Sequence, residues 1–170
     1  VANRPNAGRS VPAVNIFAHL IKALHPRVVA LALIGLVCSP GLARATERWE
    51  TLEAIHRIEN PFDTARPGRG GELGPYQFRA ATWRMHTAVP FARAVERPVS
   101  DAVAIRHYEW LKGRLARHGL PTTPYNIALA WNAGITAVVR GRVPAATQRY
   151  AERATNIVGE LKRIQVAALH

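Results

Sequence analysis

Thr123-Pro124-Tyr125-Asn126-Ile127-Ala128-Leu129-Ala130-Trp131-Asn132-Ala133-Gly134 is the stretch that decides the fold class. Thr123 can cap a helix N-terminus, Pro124 fits the first helical position where no N–H is needed, and Gly134 is a stop. Between them the apolar residues run nearly all round the helix instead of along one stripe. A helix of that kind has to be enclosed by other helices. The question for the rest of the chain is whether it supplies them.

It does, on both sides. Upstream, Trp49, Leu52, Ile55 and Ile58 recur at helical spacing, which predicts a helix over 47–59. Glu47 and Glu50 are expected in its first turn, where the helix dipole favours acids, and Asn60-Pro61 ends it. A loop follows over 60–75, rich in glycine and proline from Pro67 to Gly74, then a short helix over 79–87 carrying Trp83. Ser100 is read as an N-cap with Asp101 in the first turn, and Ala104, Tyr108, Leu111 and Leu115 form one apolar face. Gly119 and Pro121 stop that helix. Beyond the central helix, a short turn over 136–140, Gly141 and Pro144 lead to a last helix using Tyr150, Ala154, Ile157, Leu161 and Ile164. No strand-like alternation of useful length and no internal repeat is present. The expected fold is all-α, one helical domain over 46–170.

The first 45 residues read differently. They hold five basic residues (Arg4, Arg9, Lys22, Arg27, Arg44) and no acid. Residues 28–38 are an uncharged apolar run of eleven, short of the about 20 residues that a membrane-spanning helix needs. Lys22 and Arg27 precede the run, Pro40-Gly41 breaks it, and Ala43-Arg44-Ala45 follows. Basic, apolar, breaker, small-x-small is the order of a secretory signal peptide. Residues 1–45 are therefore expected to be a leader cleaved after Ala45, leaving a periplasmic or secreted protein with no stable membrane anchor. The only cysteine, Cys38, lies inside that leader and follows Val37, not the small residue that lipidation requires. An intramolecular disulfide is impossible with one cysteine.

The chain of 170 residues is 48% hydrophobic, too apolar for a disordered polyelectrolyte, and carries a formal charge of +12. Without the leader it keeps 18 basic and 11 acidic residues. A basic excess favours a polyanionic partner but does not choose among nucleic acid, an anionic membrane face and an acidic wall polymer.

Three segments carry the chemistry. Ile58-Glu59-Asn60 puts a carboxyl at the end of a helix whose other face is apolar. Such a carboxyl is either a solvated surface charge or, half desolvated, a general acid. Gly71-Glu72-Leu73-Gly74-Pro75-Tyr76-Gln77-Phe78 is the second segment and Ala128-Leu129-Ala130-Trp131-Asn132-Ala133-Gly134 the third. In this order, with 18 residues from Glu59 to Gln77, they resemble the signatures of the soluble lytic transglycosylase family, the lysozyme-like enzymes that cut bacterial peptidoglycan. The resemblance spans about residues 50–156.

The resemblance implies a lysozyme-like helical domain with Glu59 as its single acid/base. Glu59 would protonate the oxygen linking N-acetylmuramic acid to N-acetylglucosamine, then take the proton of the muramyl C6 hydroxyl as that oxygen closes onto C1. The product is a 1,6-anhydro sugar. It also implies that Gln77 helps hold the sugar, that Gly74 lets the loop backbone turn beside it, and that Tyr76 lines the cleft. Asn132 would bond substrate or loop backbone, although Gly134 beside it makes a capping role a competitor. Three residues depart from the family pattern. Asn60 stands where a Ser is usual, Gly-Pro-Tyr-Gln replaces Gly-Leu-Met-Gln, and Trp131 replaces the tyrosine whose hydroxyl orients the acid. Tyr125 or Tyr76 is expected to supply that hydroxyl.

Because the substrate brings its own nucleophile, a second carboxylate is not obligatory, unlike in two-carboxylate glycosidases. Glu72 and Asp63 are the nearby loop acids, and both read better as solvated loop charges. His56 and Glu59 lie one turn apart, but no third ligand is suggested by spacing, so neither a metal nor a cofactor is expected. The expected partner is the peptidoglycan glycan strand, acted on by a monomer. Three other readings compete: a hydrolytic muramidase of the same fold, a non-catalytic wall-binding module, and a basic nucleic-acid-binding protein. The last is weakened by the lack of a helix-turn-helix or an aromatic-basic platform.

Overall fold

The structure, a computed structural model, describes residues 40–168, with side chains from residue 47 onward. The expected leader lies outside the described residues up to residue 39. From Arg44 onward the chain packs as one unit.

The described residues hold six α-helices: α1 (Pro40–Glu59), α2 (Ala80–Arg84), α3 (Arg97–Arg117), α4 (Pro124–Ala133), α5 (Ile135–Val139) and α6 (Ala145–Ala167), with a 3₁₀ turn at Phe91–Val95. Among the described residues the only extended pairing is an isolated bridge between Leu73 and Phe78. The fold is all-α. No described helix is long and apolar enough to cross a membrane.

The central helix has the boundaries its sequence sets. The Asn126 N–H donates to Thr123 Oγ1 at 3.4 Å, and Gly134 ends α4 at φ 81°. Its all-round apolar surface divides between two sets of neighbours. Ile127 and Ala130 join a core with Leu52 and Ile55 of α1, Trp83 of α2, and Val103, Tyr108, Leu111 and Leu115 of α3. Ala128 and Leu129 pack with Ala54 of α1 and with Ala151, Ala154 and Val158 of α6. Small residues on all three helices let α1 and α6 come close to α4. Trp83 is fully enclosed, and its indole N–H donates to the Val89 carbonyl at 2.7 Å, so its burial leaves no polar atom unpaired. Burial of a side chain that size contributes roughly 2–3 kcal/mol.

Three sequence expectations shift. Helix α1 is described from Pro40 onward, so Glu47 and Glu50 sit inside it and not in its first turn. Glu50 is buried, and its carboxylate lies 3.7 Å from Lys162 of α6. Ser100 is not an N-cap. Helix α3 begins at Arg97, because Pro98 is acceptable in a first turn that needs no N–H, and Ser100 is buried with no partner for its hydroxyl. On α6 the buried stripe is Thr147, Ala151, Ala154, Val158 and Leu161, while Ile164 is 62% exposed.

Candidate active site

The end of α1, the 60–79 loop and the C-terminal end of α4 surround an open, mostly polar cleft of about 520 Å³. Glu59, Glu72, Gln77, Trp131 and Asn132 all line it.

Glu59 is the last residue of α1, half-buried at the cleft edge. The Tyr150 hydroxyl, from α6, donates to its Oε1 at 2.8 Å. Desolvation by burial pushes the Glu59 pKa above its ordinary range. The Tyr150 hydrogen bond opposes that shift, nearby Glu72 adds to it, and Arg153 draws it back. Tyr150 itself is driven well above its ordinary value by burial and then by the charge of Glu59, so it remains the proton donor of the pair. A carboxyl that keeps its proton longer than usual beside open space is suited to general-acid work.

The loop is shaped from within by Asn60. Its Oδ1 accepts from the backbone N–H (3.0 Å) and hydroxyl (3.1 Å) of Thr64, and its Nδ2 donates to the carbonyls of Thr64 (2.9 Å) and Gly74 (3.2 Å). One buried amide thus ties the end of α1 to both ends of the loop. The Leu73–Phe78 bridge then closes a turn over Gly74–Gln77, in which Gln77 is held at φ 45°. That left-handed conformation costs a non-glycine residue roughly 1 kcal/mol. It is maintained by the bridge and by Gln77 Nε2 donating to the Gly74 carbonyl at 3.0 Å.

Glu72 is tethered within the loop. The Gly70 N–H donates to its Oε2 at 2.8 Å and Arg79 Nε to its Oε1 at 3.0 Å, and its side chain is 18% exposed. Hydrogen bonds from its own and the Gly70 backbone N–H, then from Arg79, hold its pKa below the ordinary carboxylate range. Two carboxyls therefore line one cleft with pKa values displaced in opposite directions.

Asn132 lies within α4, and Gly134 does the capping. Thr147 Oγ1 donates to Asn132 Oδ1 at 2.7 Å, which fixes the amide and leaves Nδ2 without a partner among the described residues. Trp131 packs in an aromatic wall, 5.4 Å from Phe78 and 4.8 Å edge-on to His107. His107 pairs with His86 at 2.9 Å, and burial pushes its pKa down to about 3, so the wall is uncharged near neutrality.

Three residues proposed from sequence lie elsewhere. Tyr76 is buried in the core, and its hydroxyl donates to Asp101 at 2.7 Å. Gly74 is buried at φ 78° against the 3₁₀ turn, where an added Cβ would come within 1.8 Å of the Ala94 carbonyl oxygen. Its lack of a side chain serves that close approach, not a sugar. Tyr125 packs against the small-residue core of α1, α4 and α6. The hydroxyl that reaches Glu59 belongs to neither Tyr125 nor Tyr76 but to Tyr150. Sequence gave Tyr150 only as one member of the α6 face, and its single visible signal is a phenol in a stripe otherwise built of small and aliphatic residues.

His56 turns away from Glu59. Its Nε2 lies 2.9 Å from Asp63 Oδ1, and its Nδ1 lies 3.5 Å from Glu53 and 3.2 Å from Arg97 Nη1. Asp63, the other acid of the loop, is thereby committed to this network. No group of three or more His, Cys, Asp or Glu among the described residues is arranged to hold a metal ion.

Comparison with protein-family models, with curated proteins and with solved structures returned no match to this chain.

Proposed function

We propose that the protein is an exported peptidoglycan lytic transglycosylase with a lysozyme-like helical domain, working as a monomer in the periplasm or outside the cell after loss of residues 1–45. The observation that carries the reading is Glu59: a helix-end carboxyl with a raised pKa, oriented by the Tyr150 hydroxyl, at the edge of a polar cleft. Gln77 and Asn132 offer amide groups to the same cleft, and the Phe78–Trp131 wall offers an apolar face to a sugar ring.

Protonated Glu59 gives its proton to the glycosidic oxygen as the C1–O bond breaks and the bonding pair leaves with that oxygen. The muramyl C6 oxygen then closes onto C1 and its proton returns to Glu59. The products are a 1,6-anhydromuramyl end and a free N-acetylglucosamine end, and no water is consumed. The basic surface suits a wall polymer bearing peptide carboxylates.

A hydrolytic muramidase is the second reading, favoured by the ionised Glu72 in the cleft, because two-carboxylate glycosidases can activate water. Digestion of purified walls by wild type and by Glu59→Gln, with masses of the released muropeptides, tests both. The transglycosylase reading expects anhydro products, one water lighter than hydrolysis products, from the wild type alone. Reducing ends only would move the assignment to the muramidase, and equal clearance by both proteins would remove Glu59 as the acid.

A further inference from the structure

Glu72 presents a feature that a single-carboxyl mechanism does not use. Its carboxylate is seated in a pocket made by glycines. A Cβ at Gly68 would come within 2.7 Å of Glu72 Oε2 and also of Gln77 Oε1, and one at Gly70 within 2.6 Å of Glu72 Oε1. Both glycines have ordinary backbone angles, so backbone conformation does not demand them. A Cβ at either would displace the Glu72 carboxylate from the position it occupies. The Gly70 N–H and Arg79 grip it there, on the lining of the cleft that also holds Glu59.

We propose that Glu72 is a second functional carboxylate of this cleft, an ionised counter-charge to the positive C1 that develops as Glu59 delivers its proton. The assignment rests on the glycosidase reading above. Glu72 makes no bond and exchanges no proton. The C1–O pair leaves with the leaving oxygen, Glu59 supplies the proton, and Glu72 lowers the energy of the cation whether the muramyl C6 oxygen or water then attacks. A charge already held in place on the cleft lining needs no reorganisation during the reaction. Its second effect falls on Glu59, because a nearby negative charge disfavours ionisation of a second carboxyl.

The groups facing Glu59 are Tyr150 and Arg153 from α6 and Glu72 from the loop. Those facing Glu72 are the Gly70 N–H and Arg79, and Arg69 and His107 complete the charged and titratable lining. Two substitutions therefore act in opposite senses. Glu72→Gln removes the negative charge, whereas Arg79→Gln removes the cation that offsets it.

The test follows the Glu59 carboxyl by carbon NMR titration, and kcat and KM on purified glycan strands, in wild type, Glu72→Gln and Arg79→Gln. The Glu59 midpoint should fall in Glu72→Gln and rise in Arg79→Gln, with the basic limb of the rate profile following each. In Glu72→Gln, kcat should drop roughly a hundredfold while KM changes little. A collapsed loop would move both variants in the same direction, and that result overturns the proposal. So does an unshifted Glu59 midpoint in Glu72→Gln, or an unchanged kcat, either of which leaves the glycosidase reading standing. If the wild type cuts no glycan at all, that reading fails and the counter-charge role falls with it, whatever the titrations show.

Discussion

Helix α1 carries two polar regions one turn apart, and they are organised in opposite ways. Around His56, the charges of Glu53, Asp63, Arg97 and Asp101 answer one another, and the Tyr76 hydroxyl closes the set. Around Glu59, one hydroxyl supports the carboxyl, and the remaining polar groups face open volume. The first region binds the loop and α3 to α1. Both regions hold a residue in left-handed backbone, Asp63 at φ 49° in the first and Gln77 at φ 45° in the second; in the second, Glu72 also lies against Gly68 and Gly70, and the Asn132 Nδ2 has no partner among the described residues. Polar residues with mutual partners hold the molecule together, and polar residues arranged around a space are available to a ligand.

The largest effect should come from the open region. Glu59→Gln should lower wall digestion by roughly a thousandfold, measured as muropeptide release, the range expected for loss of a general acid. The same substitution should raise stability at neutral pH. The raised pKa means that the folded protein holds a proton the unfolded chain has lost, so the contribution of Glu59 falls as pH rises from its ordinary 4.5 through the higher folded value. Thermal unfolding should show the variant ahead of wild type above that window and level with it below. A wild type that is more stable than Glu59→Gln at neutral pH would contradict the desolvated site.

Next is Gly74→Ala, at the base of the loop shared by the two regions. The new methyl meets the backbone of Ala94 at a positive φ, so the expected loss is about 3 kcal/mol, visible as a lowered unfolding midpoint. An unchanged midpoint would mean that the loop and the 3₁₀ turn do not meet as described.

Tyr150→Phe should reduce kcat by about tenfold, since a hydrogen bond to a charged group is worth roughly 1.5–3 kcal/mol. Removing a donor that favours the ionised form should raise the Glu59 pKa further and move the basic limb of the pH–rate profile upward. A downward shift would show that Tyr150 does not support the carboxylate.

The smallest catalytic effect should be that of His56→Phe. It should lower stability by about 1 kcal/mol by removing the His56–Asp63 hydrogen bond while Arg97 still faces Asp63, with product masses and the basic limb of the rate profile unchanged. Should that limb move, the two regions are coupled and the contrast between them is lost.

The helical architecture was legible because it rests on local signals. Thr123, Pro124 and Gly134 bound α4, and the Ala104–Leu115 face of α3 is buried as its spacing requires. The misplaced start of α3 has a local cause too, since Ser100 and Pro98 both suit a first turn and only packing decides between them. The site was legible only where resemblance supplied it. Glu59, Gln77, Trp131 and Asn132 come together, whereas Gly74, Pro75 and Tyr76, just before Gln77, are buried in succession because the turn packs against the core and the 3₁₀ turn before the chain reverses at Gln77. Neither the grip on Glu72 nor the reach of Tyr150 has a local signature. Both arise from groups that meet only after the loop and α6 have packed.

That last contact also sets an order of assembly. Glu59 and Tyr150 are 91 positions apart, and the phenol is carried by α6, the last of the described helices. In a chain emerging from its N-terminus, the carboxyl precedes α6 by most of the domain, and the Tyr150 hydrogen bond and the Arg153 charge reach it only when that helix docks.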